Sequence, residues 1–264
     1  MLHREELRTL PIMPPTSVLE RPAPPARQPD GGIADGDTSL FASGPPTLDP
    51  ARLRAAQRDT LADPPRRPHL LLRVLFGAMD LLLGRRPSLT KFLVLEHLAQ
   101  VPYRSWERVA QRRLARTEGR SALARRIQVR VAEARAQHDN EQWHMLVVED
   151  LIARGGRPLG RWRHRRLPRL MALPWQPFTW LLHLIRPEWS YRLNAAFEAH
   201  AERQYMTFVD QHPELDQATF DGPLAARFGW PVSVADVLRQ IGHDERIHRL
   251  DSELRAAEEA TPRR

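Results

Sequence analysis

An all-α fold follows from three features of this sequence. Apolar residues recur at helical spacing over long stretches, strand-like alternation is scarce, and Ser, Gly and Pro fall where helices would begin and end. The chain has 264 residues, room for one sizeable domain and a tail.

Residues 1–66 hold half of the 24 prolines. Clusters such as RPAPPARQPDGG and SGPPTLDP give them no sustained apolar period, so they read as a disordered tail. The folded domain is expected over 67–258, with 259–264 as a disordered C-terminus. HLLLRVLFGAMDLLLG (69–84) predicts a short, strongly apolar helix ended by GRRPS. Ser88 can cap the next helix, which runs to about residue 116 and should bend at Pro102. A third helix spans about 121–153, carries Val129, Val131, Leu146 and Val147 among charges, and stops at GGRPLG. The basic stretch RWRHRRLPR then precedes MALPWQPFTWLLHLI, apolar and tryptophan-bearing. A helix over about 188–210, a loop rich in Pro, Asp and Gly, and a last long helix capped by Ser233 complete the chain.

The absence of cysteine excludes disulfides, thiolate metal sites, iron–sulfur clusters and thiol nucleophiles, leaving His and carboxylates as strong ligands. The net charge of +8 is almost wholly arginine, since Lys91 is the only lysine. No zinc-finger, basic-zipper or aromatic-glycine RNA-binding pattern accompanies it, so the expected partner is a membrane surface, not nucleic acid. The N-terminus lacks the pattern of a signal peptide, and no apolar run reaches the length of a spanning helix.

The chemistry lies in a repeated spacing. Glu141 and His144, in NEQWH, recur as Glu245 and His248, in HDERIH, on a different helix about 100 residues later. Positions i and i+3 share a helix face, so each pair can address one metal ion. A single Glu-x-x-His arises by chance in a chain this long; two copies on two long helices carry more weight. Glu96 stands in the apolar run KFLVLEHLAQVPY, where an ionised carboxylate needs a cation or a proton. Glu198 sits in LNAAFEAHAERQY on an otherwise small, apolar face. Four helices thus offer Glu, Glu-x-x-His, Glu and Glu-x-x-His, the ligand set of the ferritin-like di-iron carboxylate proteins. The expected architecture is a ferritin-like four-helix bundle with two additional short helices, and the oxygen and imidazole donors suit iron or manganese.

These motifs resemble those of the alternative oxidases. VLEHLAQVPY and FEAHAERQY are most similar to the plastid terminal oxidase branch, and the likeness spans about residues 68–256. The resemblance implies a membrane-bound di-iron quinol oxidase that resists cyanide and reduces dioxygen to water without pumping protons. It implies two non-haem irons held by Glu96, Glu141, His144, Glu198, Glu245 and His248. Tyr205 would be the redox-active tyrosine, Asn140 and Asp244 would support the ligands, and Lys91, Leu95, Ala201 and Gln204 would line the quinol pocket. It also implies a homodimer on one leaflet, at the cytoplasmic face of a bacterial inner membrane. The segments 69–84 and about 170–186 would be interfacial helices, with Trp175 and Trp180 at the head-group depth.

The sequence departs from the family at Lys91, where Arg is usual, at Gln204, where Ser or Thr is usual, and at His97 in place of Thr. The loop between Tyr205 and Glu245 is short, and the plastid C-terminal insertion is missing, so a divergent prokaryotic member is expected. His97, His138, His200 and His243 read as surface or packing residues. Two other functions fit the same ligand set: a di-iron hydroxylase of a quinone-like ring, and a non-enzymatic ferritin-like iron-binding protein.

Overall fold

A computed structural model describes residues 45–155 and 160–260. Its regular structure is helical apart from one short antiparallel pairing of Thr219–Phe220 with Val232–Ser233. The all-α class is therefore met.

Helix α1, Pro50–Ala62, corrects the domain boundary read from the sequence. Asp49 caps it by accepting from the Ala51 and Arg52 amides at 3.0 Å, and Pro50 occupies the first turn, where a missing N–H costs nothing. Its buried residues Leu53, Ala56, Gln57 and Thr60 follow helical spacing, and they dock on the helices that carry Met206, Glu202 and Arg239. Residues 45–62 thus belong to the folded domain. Residues 1–44 of the expected tail lie outside the described residues, as do 156–159 and 261–264.

Helix α2, Leu70–Leu83, buries Leu72, Phe76 and Met79 and leaves Leu70, Leu71, Val74, Leu81 and Leu82 exposed. Ser88 caps α3, Leu89–Leu114, through the Lys91 amide, and the helix continues through Pro102. Helix α4 spans Ser121–Arg154. A π-helical turn, Arg161–Arg166, leads into α5, Leu167–Ile185, and α6 follows at once over Pro187–Gln211. After two 3₁₀ turns, Ser233 accepts from the Asp236 amide at the start of α7, Val234–Ala260. That last helix includes Glu259 and Ala260, which the sequence reading had placed in the C-terminal tail.

Two closely packed pairs, α3 with α4 and α6 with α7, face each other. On α3 and α4, Glu107 meets Arg135 at 2.6 Å, Arg104 meets His138 at 2.6 Å and Glu96 meets His144 at 3.4 Å, an antiparallel order. On α6 and α7, Asn194 meets Ser252 at 3.2 Å and Glu202 meets Arg246 at 2.9 Å, again antiparallel. Gly242 permits the second pair to close: a Cβ there would stand 2.9 Å from Met206 Cε and 3.3 Å from Tyr205 Cβ. Between the pairs, Trp106 bonds Ser190 at 2.9 Å, and Arg130 meets Glu258 at 2.5 Å. Apolar residues of all four helices line the shared interior, among them Phe92, Leu95, Trp143, Val147, Phe197, Val237 and Ile241. Each fully buried side chain of this size contributes about 1.5–3 kcal/mol to folding.

Candidate metal centre

Six ionisable side chains occupy that apolar interior. Glu96 comes from α3, Glu141 and His144 from α4, Glu198 from α6, and Glu245 and His248 from α7, each at most 1% exposed. They form two groups of four, Glu96, Glu141, His144 and Glu245, and Glu141, Glu198, Glu245 and His248, with the ligand atoms of each group within 4.8 Å of one another. Glu141 and Glu245 belong to both.

The atoms divide cleanly. His144 Nδ1 faces Glu96 Oε2 at 3.4 Å, Glu141 Oε2 at 3.5 Å and Glu245 Oε1 at 3.2 Å. His248 Nδ1 faces Glu141 Oε1 at 2.7 Å and Glu245 Oε2 at 3.6 Å. Glu96 Oε2, both oxygens of Glu141 and of Glu245, Glu198 Oε2 and the two Nδ1 atoms all lack a partner in hydrogen-bond geometry. Buried polar atoms are rarely left so, and each orphan costs about 1–3 kcal/mol, more when charged. Eight such atoms belong to the two groups of four, and the close approach of the ligand atoms within each group would let each hold a metal ion. Four carboxylates and two neutral imidazoles would also balance two divalent ions in charge. The residues present fit a metal ion, and their hard oxygen and imidazole donors suit iron or manganese.

The remaining oxygen of each outer glutamate is already held. Tyr103 donates to Glu198 Oε1 at 2.7 Å, assisted by Asn194 at 2.9 Å, and Tyr205 donates to Glu96 Oε1. The pattern is reciprocal: a tyrosine on α3 serves the glutamate of α6, and a tyrosine on α6 serves the glutamate of α3. Phe92 stacks on Tyr205 with ring centroids 4.1 Å apart. Burial, then the neighbouring carboxylates, raises both phenols well above their ordinary range, so they stay donors.

Burial and mutual interaction strongly shift Glu96, Glu198, Glu141, His144 and His248. Burial raises Glu96 and Glu198 well above the usual carboxylate range, and the other carboxylates add to it. For Glu141 burial acts upward as well, but the facing His248 and His144 outweigh it and hold the carboxyl low. Burial disfavours charge on His144 and His248, yet the surrounding carboxylates push both imidazoles up. Bound cations would replace the protons that this arrangement draws in.

Asn140 and Asp244 lie beside the imidazole of His144. Asp244 Oδ2 is 3.2 Å from His144 Nε2, and Asn140 Nδ2 is 2.9 Å from the same atom. The expected quinol residues are differently placed. Lys91 is 2% exposed, pairs with Asp80 of α2 and reaches the carbonyls of Gly84 and Arg85, so it ties α2 to α3. Leu95 and Ala201 are packed in the interior. Gln204 lines a groove of about 630 Å³ together with His200, Arg203 and residues 65–69. His97 bonds the Leu93 carbonyl, His138 accepts from Arg104, and His200 stacks on Phe76 with centroids 3.7 Å apart; with His243 they stay outside the metal-competent groups found among the described residues.

One interfacial expectation is corrected. Trp175 is 6% exposed, because its face of α5 packs inward, and Trp180 is half-buried beneath Arg112. The exposed tryptophans nearby are Trp162 and Trp189. No described helix is long and apolar enough to cross a membrane.

Sequence reasoning missed Tyr103, Asn194, Arg227 and Gln240. Tyr103 had a signal, since it follows Glu96 by the seven positions that separate Tyr205 from Glu198. No protein-family model matches the chain, and no curated protein matches it.

Proposed function

We propose that the chain is a non-haem di-iron quinol oxidase of the alternative oxidase type, built as a ferritin-like four-helix bundle that rests on one membrane leaflet. The observation that carries the reading is the pair of four-residue groups sharing Glu141 and Glu245. Bound iron would supply the redox chemistry by which dioxygen becomes water at the expense of quinol. The chain's own residues would present Glu96 and Glu198 through one oxygen each, because Tyr205 and Tyr103 hold the other. Tyr205, which bonds Glu96 and stacks on the Phe92 ring, would move a proton or electron at its hydroxyl. The surrounding apolar side chains exclude water from this region.

Exposed apolar residues on α2 and α5, beside the basic turn 161–166, support residence at a membrane face. The test is oxygen uptake by membranes that contain the protein, with reduced quinol supplied and cyanide silencing haem oxidases. Uptake that persists in cyanide and disappears in Glu141→Ala is the expected result. Uptake that survives metal removal would overturn the proposal.

The tight packing of Lys91, Leu95 and Ala201 favours a second reading, an iron-binding protein that does not turn over quinol. It predicts bound iron, oxygen consumption limited by the iron supplied, and indifference to quinol.

A further inference from the structure

The two ion positions are not equally supported. To ligate through Nδ1, an imidazole must keep its proton on Nε2, and an acceptor there fixes tautomer and ring orientation. His144 has such an acceptor in Asp244 Oδ2, at 3.2 Å. The amide nitrogen of Asn140, itself a donor, lies 2.9 Å from His144 Nε2 and 3.5 Å from His248 Nε2, so it is an acceptor for neither, and the carboxylate is what distinguishes His144. Among the described residues no carboxylate pairs with His248 Nε2.

Asp244 is fully buried, and three groups keep it anionic and aimed. Gln240 Nε2 donates to Oδ1 at 2.6 Å, the Asn140 amide reaches Oδ2 at 3.3 Å, and Arg227 Nη2 lies 3.3 Å from Oδ2. Arg227 does more than neutralise. Its Nη1 donates to Asn140 Oδ1 at 3.0 Å, which turns the amide nitrogen toward Asp244. The guanidinium is fixed in turn by the Pro45 carbonyl at 2.6 Å and by the Trp143 ring, whose centroid lies 4.5 Å away.

We propose that Arg227 is a positioning residue that makes the two ion positions unequal: the one served by His144 binds tighter and fills first. This rests on the reading of the cluster as a two-metal centre. Arg suits the task because its planar fork addresses Asp244, Asn140 and Pro45 together, which a lysine ammonium cannot reproduce.

The experiment is an anaerobic titration of the purified full-length chain with cobalt(II), followed by calorimetry and by the visible absorption of the bound ion. The native chain should show two events separated by at least about tenfold, with the absorption of the first distinct from the second. Arg227→Gln should weaken the tighter event about 10–100-fold, the usual cost of losing a ligand's supporting partner. The weaker event should stay within about threefold, so that the two merge. Arg227→Lys should fall between, and it carries the test if the glutamine variant does not fold. Gln240→Met, which removes the shortest donor to Asp244 and leaves Arg227 and Asn140 in place, should weaken the same event by less.

Two equal events in the native chain, an unchanged first event in the variants, or equal losses at both positions would each overturn the proposal while leaving the two-metal reading intact. Failure of the native chain to bind cobalt(II), iron(II) or manganese(II) would remove that reading, and this inference with it.

Discussion

At the residue scale, the reciprocal tyrosines set up an unequal comparison. Glu198 Oε1 accepts from both Tyr103 and Asn194, whereas Glu96 Oε1 accepts from Tyr205. Tyr103→Phe should therefore leave Glu198 aimed by Asn194 and lower metal affinity only a few-fold. Tyr205→Phe removes the donor on Glu96 and should cost about tenfold or more. Competition with a calibrated chelator measures both, and equal losses would show that the helices, not the hydroxyls, aim the glutamates. The six converging residues were legible because a helix puts i and i+3 on one face and because Glu96 interrupts an apolar run. Arg227 was not. It lies in a short 3₁₀ turn, Pro223–Phe228, one arginine among many in a chain of net charge +8, and nothing in its neighbours' sequence marks the Trp143 ring and Pro45 carbonyl that hold it.

At the scale of elements, α1 shows why composition misled. Its buried face is half polar, and Gln57 and Thr60 are accommodated by hydrogen bonds. Gln57 donates to the Met206 carbonyl and accepts from Arg239, while Thr60 donates to Glu202 and accepts from Arg246. A search for apolar periodicity between proline clusters passes over such a helix, although Leu53, Ala56, Gln57 and Thr60 keep its spacing. Ser88 and Ser233, by contrast, cap α3 and α7 as their sequence context indicated. Helices α2 and α5 leave a prediction. Leu81 is 86% exposed and Leu173 66%, and Arg161, Arg163, Arg165 and Arg166 are exposed next to α5. Burial of such side chains in a bilayer interface is worth about 1.5–3 kcal/mol each. The native chain should cosediment with anionic vesicles, and Leu81→Glu with Leu173→Glu should lower partition at least tenfold without altering helical content. Binding that high salt abolishes and the double substitution leaves intact would assign it to the arginines alone.

For the whole molecule, acid should unfold the protein by a route that the metal cluster does not dictate. Burial, reinforced by the charge of Arg113, lowers the pKa of His183 to about 3. It lowers His138 to about 4, with Arg104 adding to it, and His200 to about 4, with Lys91 adding to it. All three are neutral in the fold and titrate near 6.5 when unfolded. Between those values the unfolded chain binds more protons, so stability rises with pH there. The contribution is complete above about pH 6.5 and is lost as pH falls toward 4 and then 3. His183 is the best probe, because it is 5% exposed and packs against Trp106 and Tyr191, away from the carboxylate cluster. Replacing it by a ring that cannot ionise, His183→Phe, should flatten the fall by up to about 1.4 kcal/mol per pH unit, the value of one proton's linkage. Near pH 8 the variant should differ from the native chain only by the packing change, about 1 kcal/mol or less. Urea denaturation at a series of pH values, with the metal load held constant, measures both limbs. Parallel curves for the two proteins from pH 8 down to 4 would mean that His183 stays neutral or is protonated equally in both states, and the acid limb would then belong to the carboxylates.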